Sequence, residues 1–302
     1  MSAFGLGDDF DEELMKGIAE QGSGAYFFIE GSSAIPQFTS FALKGLFKLV
    51  GSDALLTLRG LNGGVVTKIY GHSDPSQRTH PPSSPTTPSL TPLYSTTAYK
   101  LDDLVQDNER KVICDLDVTP TASKDSEEVL HYELSYRPAN AGTDGKAFFL
   151  YPLSYFIISF KLSLFKVTLF LFLYSGQRTS VSGTVTMTYV DNVDDIVKNN
   201  ETFVQVVIQQ TAEIDVELVA LMDAEKLEEA LALQEKQIVL FRSIVELDVT
   251  GENKVAALLK QAEAALEDLH SEGTSKQNRK KAHHRGYMKR RNSIGYTSNY
   301  LI

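Results

Sequence analysis

Three groups of residues in this sequence are of types that could do chemistry, and each has a plainer explanation beside it. The acidic run Asp8, Asp9, Asp11, Glu12 and Glu13 offers oxygen ligands for a hard cation. Its spacing fits no calcium-binding loop. Acids in the first turn of a helix are favoured by the helix dipole, so a solvated helix N-terminus is the better reading. Gly60-Leu61-Asn62-Gly63-Gly64 suggests a phosphate loop, but β-rich runs flank it and no GxxxxGK opens a helix here; a hairpin turn fits. His283 and His284 lack a third ligand at metal spacing, and His131 sits in a strand-like run with no Ser or Asp partner placed beside it. No nucleophile elbow, metalloprotease motif or dinucleotide fingerprint occurs. No catalytic residue and no metal ligand is therefore assigned, and a non-enzyme is expected.

The fourth cluster is basic. Lys276, Arg279, Lys280, Lys281, Arg285, Lys289, Arg290 and Arg291 fall within 16 residues that hold no acid. A solubilising, disordered end is the default reading of such a run. A nuclear-import segment or a patch for anionic surfaces is the functional alternative. Arg290-Arg291-Asn292-Ser293 has the form of a basophilic-kinase acceptor, and a phosphate on Ser293 would remove about 1.5 to 2 positive charges from the patch.

The elements that would position these residues change character along the chain. Residues 8–20 read as an amphipathic helix with Phe10, Leu14 and Ile18 on one face and Met15 at its flank. Residues 25–30 (AYFFIE) form the short apolar run that a buried parallel strand needs. A second helix, capped by Ser32 or Ser33, runs through Phe38, Phe41, Leu43, Leu46, Phe47 and Val50 to Gly51. From 53 onward the period turns to two: runs at 53–71, 110–118, 128–136 and 179–190 predict an antiparallel, sandwich-like β-domain. After residue 201 there is no proline, and three helices are expected, with a break near 222–225 and a stop at Gly273.

Composition sets the outer limits. With 302 residues there is room for about two domains. A net charge of -10 argues against general nucleic-acid binding. The single cysteine, Cys114, excludes an internal disulfide and a cysteine-based zinc site, and its setting KVICDLDV reads as a buried strand position rather than a reactive thiol. A reducing interior, cytoplasmic or nuclear, is the expected setting.

Two segments break the pattern. Residues 72–98 hold six of the ten prolines among Ser and Thr, a composition that reads as a disordered linker. Residues 147–174 hold seven phenylalanines. Three readings stand for this hydrophobic insert. A transmembrane helix is opposed by Pro152, Lys161 and Lys166. An aggregation-prone pair of strands is the second. The third is a retained intron, since Gly145-Lys146 and Tyr174-Ser175 can be encoded with splice-site-like sequences.

The order FGLG (4–7), DDFDEELMKGIAE (8–20), GSGAYFFIE (22–30) and IPQFTSFALKGLFKLVG (35–51) resembles the last third of a von Willebrand factor A domain, where a glycine-ended strand, the penultimate helix, a further strand and the last helix follow one another. The later segments resemble the β-domain and helical tail of some eukaryotic intracellular members, plant RING-type ubiquitin ligases among them. The resemblance implies an α+β multidomain chain. Its parts are a C-terminal α/β fragment of the A domain at 1–51, a β-rich domain at 52–192 interrupted by 72–98 and 147–174, a helical bundle or hairpin at 196–273, and a basic disordered tail at 274–302. It also implies a protein-interaction role with an unidentified protein partner, no specific nucleic acid, and the membrane as the minority reading through 147–174.

The family's cation site uses an Asp-x-Ser-x-Ser loop that occurs nowhere in this sequence. A divalent cation such as Mg would therefore need residues upstream of those present, and no cofactor is assigned to this chain. A RING cannot be built on one cysteine, so a ubiquitin-ligase role rests on analogy alone. Without the rest of the parallel sheet, residues 1–50 are expected to expose apolar surface.

Overall fold

The structure, a computed structural model, describes residues 1–22, 24–47, 49–70, 96–101, 103–105, 112–119, 126–138, 151–159, 164–171, 178–190, 199–248 and 253–291. The chain divides into two compact units, one formed by residues 1–43 with 199–302 and the other by residues 44–198.

The first unit opens as β-α-β. Strand β1 (Ala3–Leu6) lies parallel to β2 (Tyr26–Ile29), with Ala3 opposite Tyr26 and Leu6 opposite Ile29. Between them runs α1 (Glu12–Gln21), started by Asp11, whose carboxylate accepts the Leu14 N–H at 2.9 Å. Helix α2 (Ile35–Phe47) follows. The buried face of α1 differs from the expected one: Phe10, Met15 and Ala19 pack on Tyr26 and Phe28, whereas Leu14 is 58% exposed and Ile18 is also at the surface. Glu12 is buried, so the acidic run is not simply a solvated helix start.

Four helices complete this unit. Helices α3 (Asn200–Asp223), α4 (Leu227–Ile244) and α5 (Lys254–Glu272) match the three expected, with the break at 224–226 and the stop at Gly273, whose φ of 63° suits a residue without a Cβ. Val204, Val207, Ile208, Ile238, Phe241 and Leu258 form a core among them. The fourth, α6 (Lys276–Arg290), overturns the disordered tail expected from residue 274. Ser275 caps it by accepting the Asn278 N–H at 3.2 Å. Residues 292–302, Ser293 included, lie outside the described residues. The expected boundary between an N-terminal α/β piece and a separate helical region is likewise redrawn, since both belong to one unit.

The second unit is antiparallel throughout its described pairings. Strands β11 (Thr179–Thr188), β8 (Ser126–Pro138), β3 (Leu49–Gly60) and β5 (Thr96–Lys100) lie in that order, with β6 (Leu104–Val105) also on β3. A second sheet pairs β4 (Gly64–Ile69) with β7 (Cys114–Val118). Leu56, Leu58, Leu130 and Leu134 of the larger sheet share one core with Val66, Cys114 and Leu116 of the smaller. Burial pushes the Cys114 thiol up to about 12, which fits the structural rather than the reactive reading.

The turn at 61–63 is real but does not make a hairpin. Asn62 (φ 46°) and Gly63 (φ 82°) have the left-handed pair of a tight turn, yet β3 goes to one sheet and β4 to the other. Leu61 N–H donates to the Val129 carbonyl and Asn62 Nδ2 to that of Glu128, both at the start of β8, which holds this corner between the sheets.

Of the proline-rich segment, Thr96, Thr97 and Ala98 belong to β5, and 72–95 lies outside the described residues. Within the hydrophobic insert, β9 (Tyr151–Ser159) and β10 (Leu164–Leu171) pair antiparallel, with Ser159 opposite Leu164. These residues are strand, so the transmembrane-helix reading fails for them. No helix among the described residues is long and apolar enough to cross a membrane.

Two outcomes are expected. A Cβ on Gly64 would stand 2.1 Å from the Val129 carbonyl oxygen, so Gly64→Ala should cost about 1–3 kcal/mol in urea unfolding of the β-sheet unit. Cys114 should resist a thiol reagent such as DTNB in the native chain and react fully once urea exposes it.

Candidate functional site: the buried face of helix α6

Helix α6 is almost entirely polar, and its composition alone would leave it in solvent. Its cations instead meet acids from the rest of the first unit. Lys280 Nζ lies 2.6 Å from Glu12 Oε1, 2.8 Å from the Phe10 carbonyl and 3.9 Å from the centre of the Phe10 ring. Arg279 reaches Glu12 at 3.0 Å and also pairs with Asp223 at the end of α3. Lys281 bridges Asp268 of α5 and Glu30 after β2, each at 3.2 Å. His283 Nε2 is 2.9 Å from Glu13 Oε1.

The deepest contact is with Asp215 on α3, which is 0% exposed. Its Oδ2 takes Lys289 Nζ at 2.7 Å, and its Oδ1 lies 3.5 Å from Arg285 Nε and accepts Gln237 Nε2 of α4 at 3.1 Å. Gln237 also donates to the Thr211 carbonyl, and Gln234 donates to Gln237 and to the Ala262 carbonyl of α5. Gln209 donates to the Lys289 carbonyl at 2.8 Å. Four helices are thus tied through one buried polar seam. Gly286 permits the approach, because a Cβ there would sit 2.9 Å from Asp215 Cβ.

Burial would by itself raise the Glu12 carboxyl. The hydrogen bond from Lys280, with the Arg279 and Lys280 charges, outweighs it and holds that pKa below the usual carboxylate value. Burial draws Lys289 downward against the pull of Asp215. It also lowers His283, and it brings His284, packed edge-on to Tyr26 with ring centres 5.8 Å apart, to about 3.

The predicted basic patch is therefore corrected. Of its eight residues, Lys280, Arg285 and Lys289 are buried. Arg279 and Lys281 are half-buried in ion pairs; Arg290 Nε donates to the Gly286 carbonyl, and Arg291 to the Gly24 carbonyl at 2.7 Å and to the Tyr287 hydroxyl. Lys276 is the member that stays exposed. These charges are turned inward, toward acids, and not toward an anionic surface. The arrangement docks a helix; it presents no nucleophile with an adjacent base. Among the described residues no group of His, Cys, Asp and Glu is placed to hold a metal ion. His131 stands on β8 of the second unit, half-buried and opposite Arg59 and Thr184.

Sequence reasoning missed Asp215, Gln209, Gln234 and Gln237. A signal was there: Thr211 and Asp215 are four apart on α3, as Arg285 and Lys289 are on α6, which puts each pair on one helix face.

No family model matches the sequence, and neither does any curated protein. Among solved structures, the chain is similar to a von Willebrand factor type A structure from Catenulispora acidiphila, at 14% identity and a TM-score of 0.51 over 83% of this chain. The fold is von Willebrand factor A-like. Another similar structure is the ArnB paralog VWA2 from Sulfolobus acidocaldarius, at 11% identity and a TM-score of 0.43, with 96% of this chain and 55% of that one covered. The chain spans about half the length of the A-type structures it matches, 50% in the first case. The parallel β1–β2 pair, with α1 between its strands, is in keeping with that fold.

Removing Asp215 would leave two buried cations without their partner. Asp215→Ala should cost about 3–5 kcal/mol, read as helix loss by circular dichroism in urea; Lys289→Met added to it should recover part of the loss.

Proposed function

We propose that this chain is a non-catalytic protein-interaction module, working inside the cell and carrying no chemistry of its own. The observation that supports it best is the outer side of β1. Parallel strands ordinarily have neighbours on both edges and cover on both faces. Among the described residues β1 pairs with β2 alone, and its Phe4 and Leu6 are 37% and 51% exposed. Leu14 and Ile18 of α1, the helix packed against it, add exposed apolar side chains. Apolar side chains beside an open strand edge are what a protein partner covers.

Phe4 is held ready for such a contact, stacked on Phe27 with ring centres 5.4 Å apart, while Phe27 meets the tilted ring of Phe38 of α2 at 5.6 Å. The Asp-x-Ser-x-Ser loop of the family's cation-dependent mode is not in this sequence, so the contact proposed for β1 does not depend on a metal.

Chemical crosslinking of the chain in cell extract, read by mass spectrometry, tests the reading. Partner crosslinks should cluster on residues flanking β1 and α1, should survive EDTA, and should drop about tenfold or more in Leu6→Asp/Leu14→Asp with unchanged helix content. Crosslinks that fall elsewhere, or that the double variant leaves in place, would sink it.

A further inference from the structure

The two adjacent histidines of α6 have no part in the interaction reading, and among the described residues they join no metal-ligating group, yet they sit where a proton would do most damage to the docking of that helix. His284 is half-buried with its ring edge-on to Tyr26, and its Nε2 is buried with no hydrogen-bond partner. A proton placed there would have no acceptor, an expensive arrangement in a buried site. His283 points Nε2 at Glu13, while its Nδ1 is buried without a partner.

The surrounding charges sharpen the effect. Lys16 of α1 and Arg290 of α6 stand near His283, and Arg285 near His284. The acids that face α6 are Glu12, Glu13 and Glu20 of α1, Glu30 after β2, Asp215 and Asp223 of α3, and Asp268 of α5. All but Glu20 are engaged by Lys or Arg in ion pairs, Glu13 by Lys16 of its own helix at 3.2 Å, so two new imidazolium charges would enter a region whose anions are mostly taken.

We propose that α6 is an acid-released latch: protonation of His283 and His284 undocks the basic helix from α1, β2 and α3 while the β-sheet unit stays folded. Release would turn Lys280, Arg285 and Lys289 from buried residues into exposed ones. The latch is independent of whatever meets β1.

The sign follows from the direction of the shifts. Both histidines are lowered from an ordinary 6.5, so the docked state favours the neutral rings. Docking is fully present above that value and weakens as pH falls below it, by up to tenfold per unit for each ring. For His284, lowered to about 3, the loss continues across the whole window between. Glu12 and Glu13, lowered from 4.5, keep their contribution until the pH drops under that value. The first stage of release therefore belongs to the histidines.

Hydrogen exchange on the full chain, corrected for the intrinsic pH dependence of exchange, compares α6 amides with those of β3 and β8. Between about pH 7.5 and about pH 5, protection in α6 should fall roughly 30-fold or more, while β3 and β8 change by less than about threefold. His284→Phe with His283→Gln should flatten the α6 response. Unchanged α6 protection, an equal fall in β3 and β8, or an undiminished response in the double variant would each overturn the latch. Should that variant misfold, the imidazole C–H resonances of the unaltered chain decide. Both rings titrating below 6.5 supports the latch, and either one titrating at or above 6.5 defeats it.

Discussion

The Asp215 carboxylate is the constraint around which the first unit is arranged. An ionised acid with no solvent exposure would be intolerable alone, and here it is met by Lys289, Arg285 and Gln237 from two other helices. The ion pair does not by itself add much stability, because removing both charges from water costs about as much as their attraction returns. Its consequence is geometric. Once α3 presents Asp215 inward, α6 has to be present and has to bring its cations to that point.

The same logic ties the two ends of the described chain. Lys280 and Arg279 reach Glu12, and Tyr287 accepts the Tyr26 N–H at 3.1 Å while its ring packs edge-on to Tyr26. The first β-α-β element is thus covered on its α1 side by a helix that lies more than 250 residues later in sequence. Tyr287 and Met288 are the apolar part of α6 that joins this core. Charge does the rest: in a chain with net charge -10, seven of the 29 Lys and Arg lie on this one helix, and all of these but Lys276 are turned inward.

What could be read in the sequence, and what could not, divides along this line. Elements whose signal is apolar periodicity or turn chemistry were legible: β2, the three helices to Gly273, and the tight turn at Asn62-Gly63; β1 was implied only by the resemblance. The von Willebrand factor A likeness was legible too, from the order of strands and helices in the first 51 residues. Pairing was not, because a left-handed turn serves a corner between sheets as well as a hairpin, and the hydrogen bonds to β8 that choose between them are long-range. The orientation of α1 failed for a related reason. Leu14 and Ile18 look like its core face until Lys280 draws Glu12 inward and rotates that face toward Met15 and Ala19. Helix α6 escaped altogether, since a hydropathy pattern cannot show that a Lys- and Arg-rich segment has buried acids waiting for it.

That origin also explains why α6 has one seating rather than several. Arg285 and Lys289 lie on the same face, four residues apart, and both address Asp215. A slip of one residue turns a helix by about 100° and would carry both cations away from the carboxylate. It would also move Gly286 from the point where α3 comes within 2.9 Å of a would-be Cβ. An apolar helix of equal stability could slide and still find grease; this one would leave Asp215 unpaired and a side chain in the place of Gly286. The polar seam therefore specifies register where hydrophobic burial alone would be permissive, and a helix positioned by charge in this way is also one that protons can unseat.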